Sequence, residues 1–292
     1  MELLRALGVL CEPPASGHDD IAAALELPRP QGSEYADLFL FQLYPYASVY
    51  LGPEGMLGGE ARDRVAGFWR ALGLTPPAEP DHLASLLGLY AGLADAEHAE
   101  QVPARQQLLR QARAALLSEH LLTWLPAYLA KIDELAPPVY RRWGSLLRSA
   151  LRREAAALAA DGPLPLHLRC APLLEPADAS GATEFLDGLL APVRSGVILA
   201  RDDLARAARE LGLGLRIGER RFVLASLLEQ DPAATLAWLA REASRWARLH
   251  GEDALGGESI ATFWTDRARR TARLLRADAV EAGVRIGSER PE

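Results

Sequence analysis

The stretch LLSEHLLTWLPAYLAKIDELAPPVYRRWGSLLRSAL, residues 116–151, limits the fold more than any other part of the chain. Its apolar positions recur at the three- and four-residue steps of a helix, not at the alternation of a strand. His120, Trp124 and Tyr128 stand four apart, which predicts one large, aromatic and partly polar helix face. Pro126 falls inside the pattern and predicts a bend, because its ring removes the hydrogen bond to Leu122. Pro137 and Pro138 then start a second helix.

The same period governs the rest of the chain. Residues 34–51 open with a helix that Pro45 interrupts, and 60–73 read as an amphipathic helix with Val65, Phe68, Trp69 and Leu72 on one side. An apolar helix is expected at 82–95, a long one at 103–134 bent at Pro126, and another at 139–160. Residues 161–182 break the pattern with Pro163, Pro165, Pro172 and Pro176. Beyond them, helices are expected at 183–190, 201–211, 219–229, 232–249 and 258–282. Val197-Ile198-Leu199 is the best strand candidate, and it is short. The expectation is an all-α chain with a helical core over 1–160, a proline-rich connection over 161–182 and further helices over 183–292 packed on that core.

Composition removes several functions. The net charge of −7 argues against sequence-independent binding of nucleic acid, which needs phosphate neutralisation. Lys131 is the only lysine among 32 basic residues and follows no glycine, so a GxxxxGK[ST] phosphate loop is absent. The six histidines are scattered, and Cys11 and Cys170 form no metal-spaced pair; no metal or other cofactor is expected. GLGLRIG at 212–218 is one residue too long for a dinucleotide fingerprint, and Ser195 sits in PVRSG rather than GxSxG. No catalytic constellation stands out, and intrinsic turnover is the least expected class. The opening MELLRALGVLCEPP makes a poor secretory signal, and no run approaches the roughly 18–20 apolar residues of a membrane span. The reading is therefore a cytoplasmic protein with no membrane partner.

Two segments invite a binding role. In EPDHLASLLGL, residues 79–89, Asp81 is placed to cap the helix that follows it. Alternatively, the stiff turn presents an acid and an imidazole beside an apolar groove, where they would meet an arginine-bearing peptide. RDDLARAARELGLGLRIGERRFVLASLLEQDP, residues 201–232, looks superficially like two helices around a glycine turn, which would make the chain a helical DNA-binding regulator. Its arginines equally suit the solvated faces of packed helices.

YPYASVYL at 44–51, FWRALGL at 68–74, EPDHLASLL at 79–87 and SEHLLTWLPAYLAKI at 118–132, in this order and spacing, resemble the TorD/DmsD/NarJ family of molybdoenzyme maturation chaperones. The resemblance covers roughly residues 34–160. It implies a TorD-like helical bundle and binding without turnover. The implied partner is the catalytic subunit of a molybdopterin-containing oxidoreductase or its twin-arginine signal peptide, held by a monomer or homodimer until the cofactor is inserted. Carried over residue by residue, it implies client binding at Glu79, Pro80, Asp81, His82 and Trp69. Tyr46, Tyr50, His120 and Trp124 would line the groove. Usual members are shorter, so 161–292 includes an extension for which the resemblance implies no role.

Overall fold

A computed structural model of the chain describes residues 1–159, 162–253 and 255–288, the last six by backbone alone. Among the described residues every regular element is a helix. Their one β-like feature is an isolated antiparallel bridge between Tyr46 and His82. The chain divides into two compact units. The first holds Met1–Gly52, Met56–Arg169 and Asp253–Ile260; the second holds Pro53–Gly55, Cys170–Glu252 and Ala261–Glu292.

In the first unit, the helix Glu2–Val9 packs along Leu83–Ala99. Gly8 lies at the contact, where even a Cβ would sit only 3.4 Å from the Leu87 Cβ, an ordinary van der Waals distance. Leu125–Leu135 packs on Pro138–Leu158. At their crossing Gly144 leaves no room for a side chain, since a Cβ would come within 2.8 Å of Ile132 Cγ2. Between these layers lie Phe39, Tyr140 and Trp143, with edge-on rings at 4.9 Å and 5.8 Å from Phe39. The buried Trp143 indole still finds an acceptor, donating to the Leu7 carbonyl at 2.8 Å. Lys131 is also inside, its ammonium paired with Glu134 at 3.0 Å.

The long helix expected over 103–134 is three pieces. An α-helix Pro103–Ala115 runs into a π-helical turn Leu116–Leu121, and a new helix begins at Leu125. Trp124, at φ −134°, is the residue that leaves helical geometry. Pro126 therefore sits in a first turn, where its missing N–H costs nothing, instead of bending a continuous helix. The proline marks a start that periodicity alone read as a kink.

The second unit is built from Ala182–Leu190, Arg201–Leu211, Arg220–Gln230, Pro232–Glu252 and the helix Gly257–Ser288 from Ala261 onward. These match the helices expected from periodicity to within a few residues at most ends, though the last runs on to Ser288. Val197-Ile198-Leu199 forms no strand; it is a buried connecting segment. Gly196, at φ +72°, turns the chain into it, and a Cβ there would lie 2.3 Å from the Ala268 backbone nitrogen. His250 Nε2 meets the Gly196 carbonyl at 2.9 Å. Arg206 joins two helices, reaching Asp203 at 3.1 Å and Glu242 at 2.9 Å. The connection Gly212–Glu219 between the two helices of 201–232 is longer than the three or four residues of a helix-turn-helix.

Candidate functional site

The turn at 79–83 is stitched to the segment before the helix Ala47–Leu51. Ala47 N–H donates to the Asp81 carbonyl at 3.0 Å, and Leu83 N–H donates to the Pro45 carbonyl at 2.8 Å. The Asp81 carboxylate accepts the Ser48 N–H at 3.0 Å, and Asp81 is 2% exposed. Asp81 is thus a helix cap, but for Ala47–Leu51 and not for the helix that follows it in sequence. That second cap falls to His82, whose Nδ1 accepts the Ala84 N–H at 3.2 Å. With Nδ1 accepting, the neutral ring carries its proton on Nε2. Burial pulls the His82 pKa below its ordinary value, which keeps the ring neutral, and its edge meets Tyr46 at 4.7 Å between centroids.

The outer face of the same turn is polar. Glu79 is exposed, while Pro80 is buried. Tyr46 is half-buried, and burial, then the nearby Glu79 carboxylate, raises its pKa. Arg62 donates to the Ala78 carbonyl at 3.0 Å and ties the loop to the helix Gly59–Ala71. Trp69, on that helix, is half-buried, and Leu74 just beyond it is 43% exposed.

The aromatic residues separate into two groups. Tyr50 stacks on Trp124 at 5.2 Å with 10° between ring planes, and Tyr128 closes against both. Tyr50 and Trp124 are 2% and 0% exposed, so they form core and offer no side-chain surface to a groove. His120 does not share their face. The π-helical turn rotates it onto Phe68, at 4.8 Å. Burial and then the Arg64 charge push its pKa down to about 4. His167 is driven lower still, to about 3, by burial and then by Arg64 and His120. Arg64 and His167 were not legible as neighbours of this site. The one available signal was the four-residue spacing of Arg64 and Phe68 on one helix face.

The predicted site residues therefore split. Glu79 and Tyr46 reach the surface at the turn, and Trp69 is partly open on the helix Gly59–Ala71; Asp81, Pro80 and His82 hold the turn from inside; Tyr50, His120 and Trp124 lie in the interior. Among the described residues no group of three or more histidine, cysteine or acidic side chains is arranged to hold a metal ion. No described helix is long and apolar enough to cross a membrane.

Residues 18–130 match the family described as nitrate reductase delta subunit. Over 120 residues the chain is 37% identical to chaperone protein TorD of Vibrio cholerae serotype O1 (strain M66-2), covering 38% of this chain and 52% of that protein. Chaperone protein TorD of Vibrio vulnificus (strain YJ016) is 30% identical over 122 residues, 38% of this chain and 54% of its own length. The chain thus spans about half the length of the curated relatives it matches. No solved structure matches it. The resemblance carried by the four motifs holds for this part of the chain, and these relatives are named as chaperones, not as enzymes.

Proposed function

We propose, with residues 18–130 taken as TorD-family chaperone sequence, that the chain binds the catalytic subunit of a molybdopterin-containing oxidoreductase before its cofactor is inserted. It holds the apo-subunit for assembly in the cytoplasm and works by binding, without turnover. The finer proposal is that a twin-arginine signal peptide is among the segments held. The observation that supports this reading is a turn pinned from within and acidic without. Asp81 and His82 fix its backbone through Ser48 and Ala84, while Glu79 and Tyr46 stand at its surface and Trp69 is partly open on the helix that Arg62 ties to the loop. A client arginine would take the Glu79 carboxylate in a charge-assisted bond, and its apolar neighbours would cover Trp69 and Leu74.

The test is co-expression with the cofactor-free catalytic subunit encoded in the same host, with and without its leader, followed by co-purification. Recovery of the subunit, reduced several-fold by Glu79→Lys, is the expected result. Failure to recover any molybdopterin oxidoreductase, with normal maturation in a strain lacking this chain, would overturn the reading.

A further inference from the structure

The second unit contains an open apolar cavity of about 910 Å³, at the upper end of the range for ligand-binding pockets. It lies among Ala182–Leu190, Arg220–Gln230, Pro232–Glu252 and Gly257–Ser288. Phe185, Leu228, Leu236 and Leu274 supply its floor. Phe185 and Leu236 are nearly buried, whereas Leu228 and Leu274 remain partly open to solvent. The lining residues follow helical spacing: Ala182 with Phe185 and with Leu186, Ala225 with Leu228, and Leu274 with Asp278.

Around this floor stand four carboxylates, Asp178, Glu229, Asp278 and Glu281, and no arginine, lysine or histidine belongs to the described lining. Asp178, Glu229 and Glu281 are exposed. Asp278 is half-buried, and its Oδ2 is buried with no hydrogen-bond partner among the described residues. Burial and the neighbouring Glu281 and Asp178 raise its pKa. Glu229 has a cation nearby, Arg216 at 3.9 Å, but both side chains are largely solvated and the pair is weak. The acidic edge is thus left without a strong counter-charge from its own lining.

We propose that this groove receives a cationic amphipathic segment of another protein, with leucine-like side chains on the floor and arginines or lysines against Asp278, Glu281 and Asp178. Apolar burial supplies the affinity and the carboxylates set orientation, as in helix-in-groove recognition. An anionic or neutral segment would leave the buried Asp278 Oδ2 without a partner, and no side chain among the described residues supplies one. The groove lies outside residues 18–130, so the proposal stands apart from the maturation-chaperone reading.

The full chain can be titrated by fluorescence anisotropy with a labelled synthetic leucine helix flanked by arginines, and with its glutamate-flanked twin. The expected result is saturable binding of the arginine peptide alone. Asp278→Asn with Glu281→Gln should weaken it about tenfold, the scale of two partly screened ion pairs. Leu228→Gln, at a partly exposed position and with an unchanged thermal melt as its control, should weaken it as well. Equal affinity for the two peptides, or no effect of the acid variant, would overturn the proposal. So would light scattering that detects a dimer dissolved by Leu228→Gln, since a second copy would then fill the groove. Recovery of an oxidoreductase in the co-purification bears on residues 18–130 and leaves these outcomes untouched.

Discussion

The turn at 79–83 and the groove beyond residue 176 treat their carboxylates in opposite ways. Asp81 is inside the first unit and its oxygen closes a helix end 33 residues away in sequence. Asp278 faces an open cavity, and its buried oxygen has no partner among the described residues. The residues that look most like a site in sequence hold the structure together. Asp278, left with unmet hydrogen-bonding capacity, carries no motif, whereas Trp69, whose buried indole N–H also has no partner among the described residues, does. A motif residue such as Asp81 can mark what a fold requires, and the capacity to bind is also to be sought in polar atoms the fold has not satisfied.

Four outcomes would break or sharpen this contrast. The largest concerns Trp124. Its replacement by alanine empties the stack with Tyr50 and should cost about 3–5 kcal/mol in urea unfolding. A loss as small as that of a surface change would return Trp124 to the list of groove residues.

Acid is the next probe. His120 and His167 titrate near 4 and 3, below the roughly 6.5 of an unfolded histidine. The unfolded chain then binds more protons as pH falls, so stability present above pH ~6.5 drains away as pH drops toward 4. His120 alone should account for about 3 kcal/mol of that loss at pH 4. His120→Gln should flatten the acid limb of a stability–pH profile, and an unchanged limb would mean the imidazole is solvated.

Asp81→Ala should destabilise by about 1–2 kcal/mol, the range for a lost helix cap. The loss should appear in thermal melts before any client is added. If folding were untouched while client recovery collapsed, the carboxylate would belong to the outer face of the turn. The smallest effect is expected at the groove. Asp278→Asn with Glu281→Gln should not destabilise the fold, since it removes a partly buried carboxylate oxygen without a partner among the described residues and an exposed one that the fold does not pair. A loss of stability would make these acids structural and erase the difference between the two regions.

Much of the helical layout was legible because apolar periodicity and proline placement are local signals. The five helices of the second unit came out largely in place for that reason. The errors arose where geometry depends on distant partners. Periodicity placed His120, Trp124 and Tyr128 on one face, but a π-helical turn and a new start at Leu125 separate His120 from the other two. Asp81 was recognisable as a cap, yet no sequence pattern discloses that its partner is Ser48, because a cap across space leaves no spacing to read. Of the groove acids, Asp278 and Glu281 share one helix at a three-residue step, but Asp178 and Glu229 come from two other helices, and no spacing in sequence brings the three helices together.

The fold also withdraws the chain's single side-chain amine. Lys131 has 0% side-chain exposure and lies against Glu134 in the helix Leu125–Leu135. Every other cation of the surface is a guanidinium, histidines and chain end aside. Acylating reagents and amine-directed cross-linkers will therefore find no lysine on the folded protein. The rate at which Lys131 becomes modified reports how often its helix opens, so one residue serves as a built-in clock for local unfolding.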